Sequence, residues 1–247
     1  MTRSSHYQIF MSSCVAFIMA ACTPPLPASR FPLPAPVHTE QFAVIFGRDT
    51  SAYELITSCF GSIMSDLELP KPRIHIHYEL LFGTSLYPQN LNQAIWIDSA
   101  QPPSAPAQIA RTLVRSDSII TDVWHGPQFQ TQRYAVQPNT FPWMTSYTAL
   151  LMHLVRMFYT EDIKDVRLFW VATGGHTSVA RLVRRTADSV IVAFDTTQVR
   201  TSVSRAGVLE GAVVAGSAVR VVKLPLKTPP KVANDRCGMG SFMKPNP

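Results

Sequence analysis

Charge is scarce in this chain: only 15% of its 247 residues are Asp, Glu, Lys or Arg, while 46% are hydrophobic. That balance is too apolar for a disordered chain and requires a packed core. No apolar run approaches the ~20 residues that a membrane-spanning helix needs. There is no G-x-S-x-G elbow, no glycine-rich phosphate loop, no dinucleotide fingerprint and no C-x-x-C-H haem attachment. These absences argue against an α/β-hydrolase, nucleotide enzymes and a c-type cytochrome. Cysteine is sparse too, at four residues, which rules out a disulfide-dense scaffold.

What is present begins with a polar start, Met1 to Gln8, carrying Arg3, followed by the apolar run IFMSSCVAFIMAA, Ile9 to Ala21. A charged start and a short greasy run define an export signal. Met19-Ala20-Ala21-Cys22 resembles a bacterial lipobox, with Met19 where that family prefers Leu. The resemblance implies that residues 1–21 are removed and that Cys22 becomes the lipidated N-terminus, a covalent lipid being the only attached group expected and no cofactor. Thr23, in place of aspartate, implies sorting toward the outer membrane. Six prolines then fall at positions 24, 25, 27, 32, 34 and 36. Residues 22–40 therefore read as an extended tether, ~3.1 Å per residue, that holds a body ~45 Å from a bilayer. The expected location is the periplasmic side of a bacterial membrane.

With Cys14 and Cys22 in the signal region, the body keeps Cys59 and Cys237, which an oxidising compartment allows either to pair or to stay as thiols. Charge is uneven. The full chain is +6, and Lys223 to Pro247 carries Lys223, Lys227, Lys231, Arg236 and Lys244 against Asp235. The body is near neutral, and residues 225–247 read as a basic, proline-rich arm suited to an acidic surface, either anionic lipid or a partner protein. An exported body without a basic-aromatic face is not expected to bind nucleic acid.

Residues 41–224 show short runs rich in Val, Ile, Thr, Phe and Tyr, broken by Gly, Asp, Asn or Pro about every ten residues. The fold expected is mainly β, an antiparallel meander forming a curved sheet or partly open barrel, with a possible subdomain boundary near 100–107. Strands are expected near 41–47, 50–58, 73–82, 91–98, 107–115, 117–124, 129–137, 166–172, 176–185, 188–195, 197–204 and 218–224. Tyr147, Leu150, Leu151, Leu154 and Phe158 recur at helical spacing, which predicts one helix over 144–159, packed on the sheet, with Thr145 or Ser146 as N-cap and Pro142 leading in. IARTLVRSDSIITDVW (Ile109 to Trp124) repeats weakly as VARLVRRTADSVIVAF (Val179 to Phe194), each copy a hairpin.

Ala187 to Val214, with Gly207, Leu209, Gly211 and Val213 in a G-x-L-x-G-x-V turn, resembles a β-rich domain of unassigned function in secreted and lipid-anchored bacterial proteins. QTQRYAVQPNTFPWMTSYTALLMHLVRMF before it is similar to that domain's strand, Pro-turn and helix, so the resemblance spans Thr112 to Val222. It implies an exported β domain and brings no catalytic residues.

The sharpest chemical pattern is His75-Ile76-His77-Tyr78-Glu79, whose strand alternation puts His75, His77 and Glu79 on one face. Two imidazoles and a carboxylate suit zinc or copper; the other reading is the solvated face of an amphipathic strand. Trp124, Phe129, Tyr134, Phe141, Trp143 and Tyr147 suit an interface or an apolar pocket, or else the core. Three functions follow from these features: a non-catalytic tethered subunit docking on an integral membrane protein complex, a respiratory or photosynthetic assembly for example; a carrier or sensor of a lipid-like ligand; and a metal-dependent hydrolase at His75, His77 and Glu79. The first is the leading expectation.

Overall fold

Strand-forming runs dominate the computed structural model, which describes residues 38–82, 85–98, 104–144, 147–161, 163–171 and 175–226. The first eight strands follow one another as a meander: β1 (His38–Phe46), β2 (Asp49–Cys59), β3 (Ser62–Pro70), β4 (Arg73–Leu81), β5 (Asn90–Ile97), β6 (Gln108–Val114), β7 (Ser118–His125) and β8 (Gln128–Ala135). After β9 (Thr140–Trp143) comes a helix, α1 (Thr148–Thr160). Six strands follow among the described residues: β10 (Asp165–Trp170), β11 (Thr177–Arg185), β12 (Ser189–Phe194), β13 (Thr197–Val203), β14 (Leu209–Val214) and β15 (Val219–Leu224).

All of them join one sheet, in the order β8-β7-β6-β5-β4-β3-β2-β1-β15-β14-β13-β12-β11-β10-β9. Every neighbouring pair is antiparallel except β9 and β10, which run parallel with α1 as their crossover. From β1 in mid-sheet the path thus winds out to the β8 edge, reappears at the β9 edge and winds back until β15 pairs with β1. β5 and β6 pair across residues 99–103, so the sheet continues through the region of the expected boundary.

Chain connectivity forces this sheet to curl. Laid flat, fifteen strands at ~4.8 Å would separate β8 from β9 by roughly 65–70 Å. Yet Ala135 and Thr140 are five residues apart, a reach of at most ~19 Å. The two edges therefore approach each other with no strand pairing between them among the described residues, as in a barrel with an open seam. Side chains span the gap: the Tyr134 ring on β8 lies 5.0 Å from that of Phe169 on β10. Gly175 meets the same tyrosine with φ +85°, and a Cβ there would overlap its ring.

Alternation decides which face is interior. In β13, Val199, Thr201 and Val203 are buried while Arg200 and Ser202 are exposed. α1 is buried on nearly every side, as expected of a helix apolar all round. Its Leu150, Leu154 and Phe158 share one core with Phe42, Ile56, Tyr78 and Leu80 of the first half and Val190, Val192 and Leu209 of the second.

Among the described residues the expected β architecture and single packed helix are present, and the two repeats form the β6–β7 and β11–β12 hairpins. Three strands depart from expectation. β3 carries Asp66 and Glu68, which break its apolar reading but face His77 and His75 across the ladder. β9 contains Pro142, tolerated because it is an edge strand, so this proline lies in the sheet rather than leading into the helix. β14 forms where a closing turn was expected, with Gly211 letting Val221 O and Ser202 Oγ come close. The helix begins at Thr148, and its N-cap position is Tyr147, whose side chain makes no cap bond; Thr145 and Ser146 lie outside the described residues.

Candidate functional site

The missing cap is supplied from across the core. Glu54 shares the inward face of β2 with Ala52 and Ile56 and is wholly buried. Its Oε2 accepts the Thr148 N–H at 2.7 Å, and its Oε1 accepts the Ala149 N–H at 3.1 Å and the Ser65 hydroxyl at 2.8 Å. The Tyr78 hydroxyl also donates to Oε1. An unpaired buried carboxylate is costly; here four donors and the positive end of a helix dipole offset that cost. Tyr147 stacks on Tyr78 with ring centroids 4.3 Å apart. Burial, and then the Glu54 charge, hold both phenols well above their ordinary range, so each keeps its proton. The constellation is a clamp for the helix start.

One turn further along α1, the His153 ring packs 4.2 Å from Phe82 and 5.9 Å from Phe141. Its Nε2–H donates to the Leu86 carbonyl at 2.7 Å. Burial pushes its pKa down to about 4 against the pull of that carbonyl, and Arg156 pushes the same way. His153 is therefore neutral at pH 7.

On the opposite face of β4, His77 Nδ1 lies 2.9 Å from Asp66 Oδ1, with His75 Nε2 3.6 Å from the same oxygen. His75 Nδ1 lies 3.9 Å from Glu68 Oε1, and its ring centroid is 5.4 Å from that of Trp96. The two histidines share a face as expected, but their nearest carboxylates come from β3. Glu79 stands between Met64 and Asn92 in the ladder. Among the described residues, no three His, Cys, Asp or Glu side chains gather as a metal cluster.

The aromatic candidates separate. Trp124 and Phe129 oppose each other at the end of the β7–β8 hairpin, ring centroids 5.0 Å apart, with Phe129 57% exposed. Tyr134 serves the seam. Trp143 is 7% exposed among Phe141, Trp170 and Phe194, and its Nε1–H has no partner among the described residues.

Lys223 faces inward from β15, 2.8 Å from the buried Glu40 carboxylate and 3.1 Å from Glu210. Burial pushes its ammonium down, but the two carboxylates outweigh this and raise it. Cys59 is buried and disulfide-bonded, its partner lying outside the described residues. Cys22, Cys237, Lys227 and Lys231 also lie outside them.

Sequence reasoning passed over the outer face of β11–β15. A cleft of about 610 Å³ there includes Arg184, Arg200 and Arg220 in its lining. The signal was an arginine at an outward position on alternate strands. For Glu54 it was a carboxylate on an otherwise apolar strand face.

No protein-family model matches the chain, and no curated protein does. Two solved structures are similar in outline. One is a DUF1089 family protein from Pseudomonas aeruginosa, with TM-score 0.44 and 10% identity over 67% of this chain and 91% of that one. The other is a beta-barrel-like protein of domain of unknown function DUF1849 from Brucella abortus, with TM-score 0.42 and 8% identity over 76% of this chain and 94% of that one.

Proposed function

We propose that the chain is an exported, non-catalytic docking module, anchored in a bacterial membrane through Cys22 and bound to a larger membrane protein assembly. The observation that carries this reading is the β7–β8 hairpin. β8 is an open sheet edge exposed at seven of its eight positions, and it ends beside the outward Trp124–Phe129 pair. An unpaired edge offers a row of backbone donors and acceptors to a partner, and exposed aromatics are the usual anchors of an interface. The proline-rich segments on either side suit a body kept within reach of a bilayer. Pairing of Cys59 with Cys237 would tie the basic arm to the end of β2. In mild detergent the chain is expected to co-purify with integral membrane proteins, and Phe129→Ser to weaken that recovery at least tenfold. Recovery only as a free monomer would overturn the reading.

A second reading is a carrier or sensor of an apolar ligand held between α1 and the sheet. It is favoured by two buried polar atoms in that layer, Trp143 Nε1 and Thr148 Oγ1, that have no partner among the described residues, since buried polar atoms ordinarily find one. Native mass spectrometry of gently purified protein tests it, and a mass equal to that of the protein alone in every preparation would refute it.

A further inference from the structure

One register line crosses five strands of the second half. Arg184 pairs with Ile191, Ile191 with Arg200, Arg200 with Val213, and Val213 with Arg220. All three arginines are exposed, and Val213 between them is 52% exposed. Among the described residues none of the three has an ion-pair or hydrogen-bond partner, unlike Arg181 and Arg185 on β11. The carboxylates nearest the row have partners of their own: Asp188 accepts the Thr186 hydroxyl at 2.7 Å, and Glu210 accepts the Lys223 ammonium at 3.1 Å. Ser189 and Ser202 add hydroxyls to the same cleft.

We infer that this row is a binding face for the phosphates of anionic phospholipid headgroups. The inference rests on the reading that the chain is held at a membrane, and it identifies what the body touches there. Guanidinium groups fork phosphate oxygens. Strands ~4.8 Å apart set successive arginine Cα atoms ~10 Å apart and the outer two ~19 Å apart. All three cannot converge on one phosphate, so the row takes an array of anions, which a bilayer surface presents. Ile191 and Val213 between them suit the less polar level just beneath the phosphates. The tether reach of ~45 Å leaves the body free to lie down on that surface.

Arginine-specific labelling with phenylglyoxal, read residue by residue by mass spectrometry, tests this on the full chain. The protein is placed on neutral phosphatidylcholine vesicles, or on vesicles that also contain phosphatidylglycerol. Labelling of Arg184, Arg200 and Arg220 is expected to slow about fivefold on the anionic vesicles, the worth of one arginine at such a surface. Arg115, exposed at the β6–β7 turn, serves as the reference and should not change. Equal labelling on both vesicles would overturn the proposal. So would equal protection by inorganic phosphate alone, which would assign the row to a soluble anion. Protection seen in native membranes but on neither vesicle would assign it to an acidic protein partner and overturn it as well. A chain without an acyl anchor, added to preformed vesicles, gives the same contrast. Failure of the anchor, visible as loss of protein from neutral vesicles, is thereby distinguished from failure of the headgroup face.

Discussion

Replacing Glu54 with Gln removes one charge while keeping the side chain's shape. Four donors point at this carboxylate: the Thr148 and Ala149 amides and the Ser65 and Tyr78 hydroxyls. The glutamine amide offers a single acceptor oxygen, and its NH₂ confronts donors in place of Oε2 or Oε1. A hydrogen bond to a charged group contributes about 1.5–3 kcal/mol, and each buried donor left unsatisfied costs about 1–3 kcal/mol. The helix-dipole interaction, up to about 2 kcal/mol in buried geometry, is lost as well. With partial relaxation, Glu54→Gln should destabilise the protein by about 3–5 kcal/mol, read as a fall in the urea midpoint with an unchanged slope. Tyr78→Phe removes one donor and should cost about 1 kcal/mol alone. It should cost less in the Glu54→Gln background, because the two groups act on each other. A loss below about 1 kcal/mol for Glu54→Gln, or strict additivity of the pair, would refute the helix-clamp reasoning.

His153 makes stability depend on pH, with a definite sign. Its native pKa is lowered to about 4 from 6.5, so the unfolded chain takes up a proton below pH 6.5 that the native state refuses. Stability should be unaffected by this group above pH 6.5 and fall by about 3 kcal/mol as pH drops toward 4. Thermal melts of the wild type and His153→Gln should show that slope only in the wild type. Gly175→Ala, which forces a positive-φ backbone and a collision with the Tyr134 ring, should cost about 1–3 kcal/mol. The added Tyr134→Ala substitution should relieve the steric part, and equal melting of wild type and Gly175→Ala would contradict the seam described above. His75→Ala together with His77→Ala should leave the metal content of purified protein unchanged and lower stability by under about 1 kcal/mol, since their carboxylate contacts are partly solvated. A stoichiometric metal lost on substitution would restore the metal-site alternative.

Strands built from clean alternation, such as β13, and the helix built from the Leu150, Leu154 and Phe158 spacing were legible because burial imposes those periods directly. β3 was not, because Asp66 and Glu68 answer to partners eleven and seven residues away in the chain, at His77 and His75 on the β4 ladder. β9 was hidden by its brevity and by a proline that only an edge position tolerates. The near-closure was implicit in the short link from β8 to β9, but it carries meaning only once both are known to be sheet edges. Glu54 and the arginine row depend on pairings between strands far apart in sequence. A single chain read alone shows the residue types and not the register that aligns them.

Metabolic labelling with palmitate, followed by membrane fractionation of the wild type and Cys22→Ala, tests most directly whether the body is held at a membrane. The account predicts a labelled, membrane-bound wild-type chain that detergent but not high salt releases, and an unlabelled Cys22→Ala chain. A wild-type chain recovered unlabelled in the soluble fraction would contradict it.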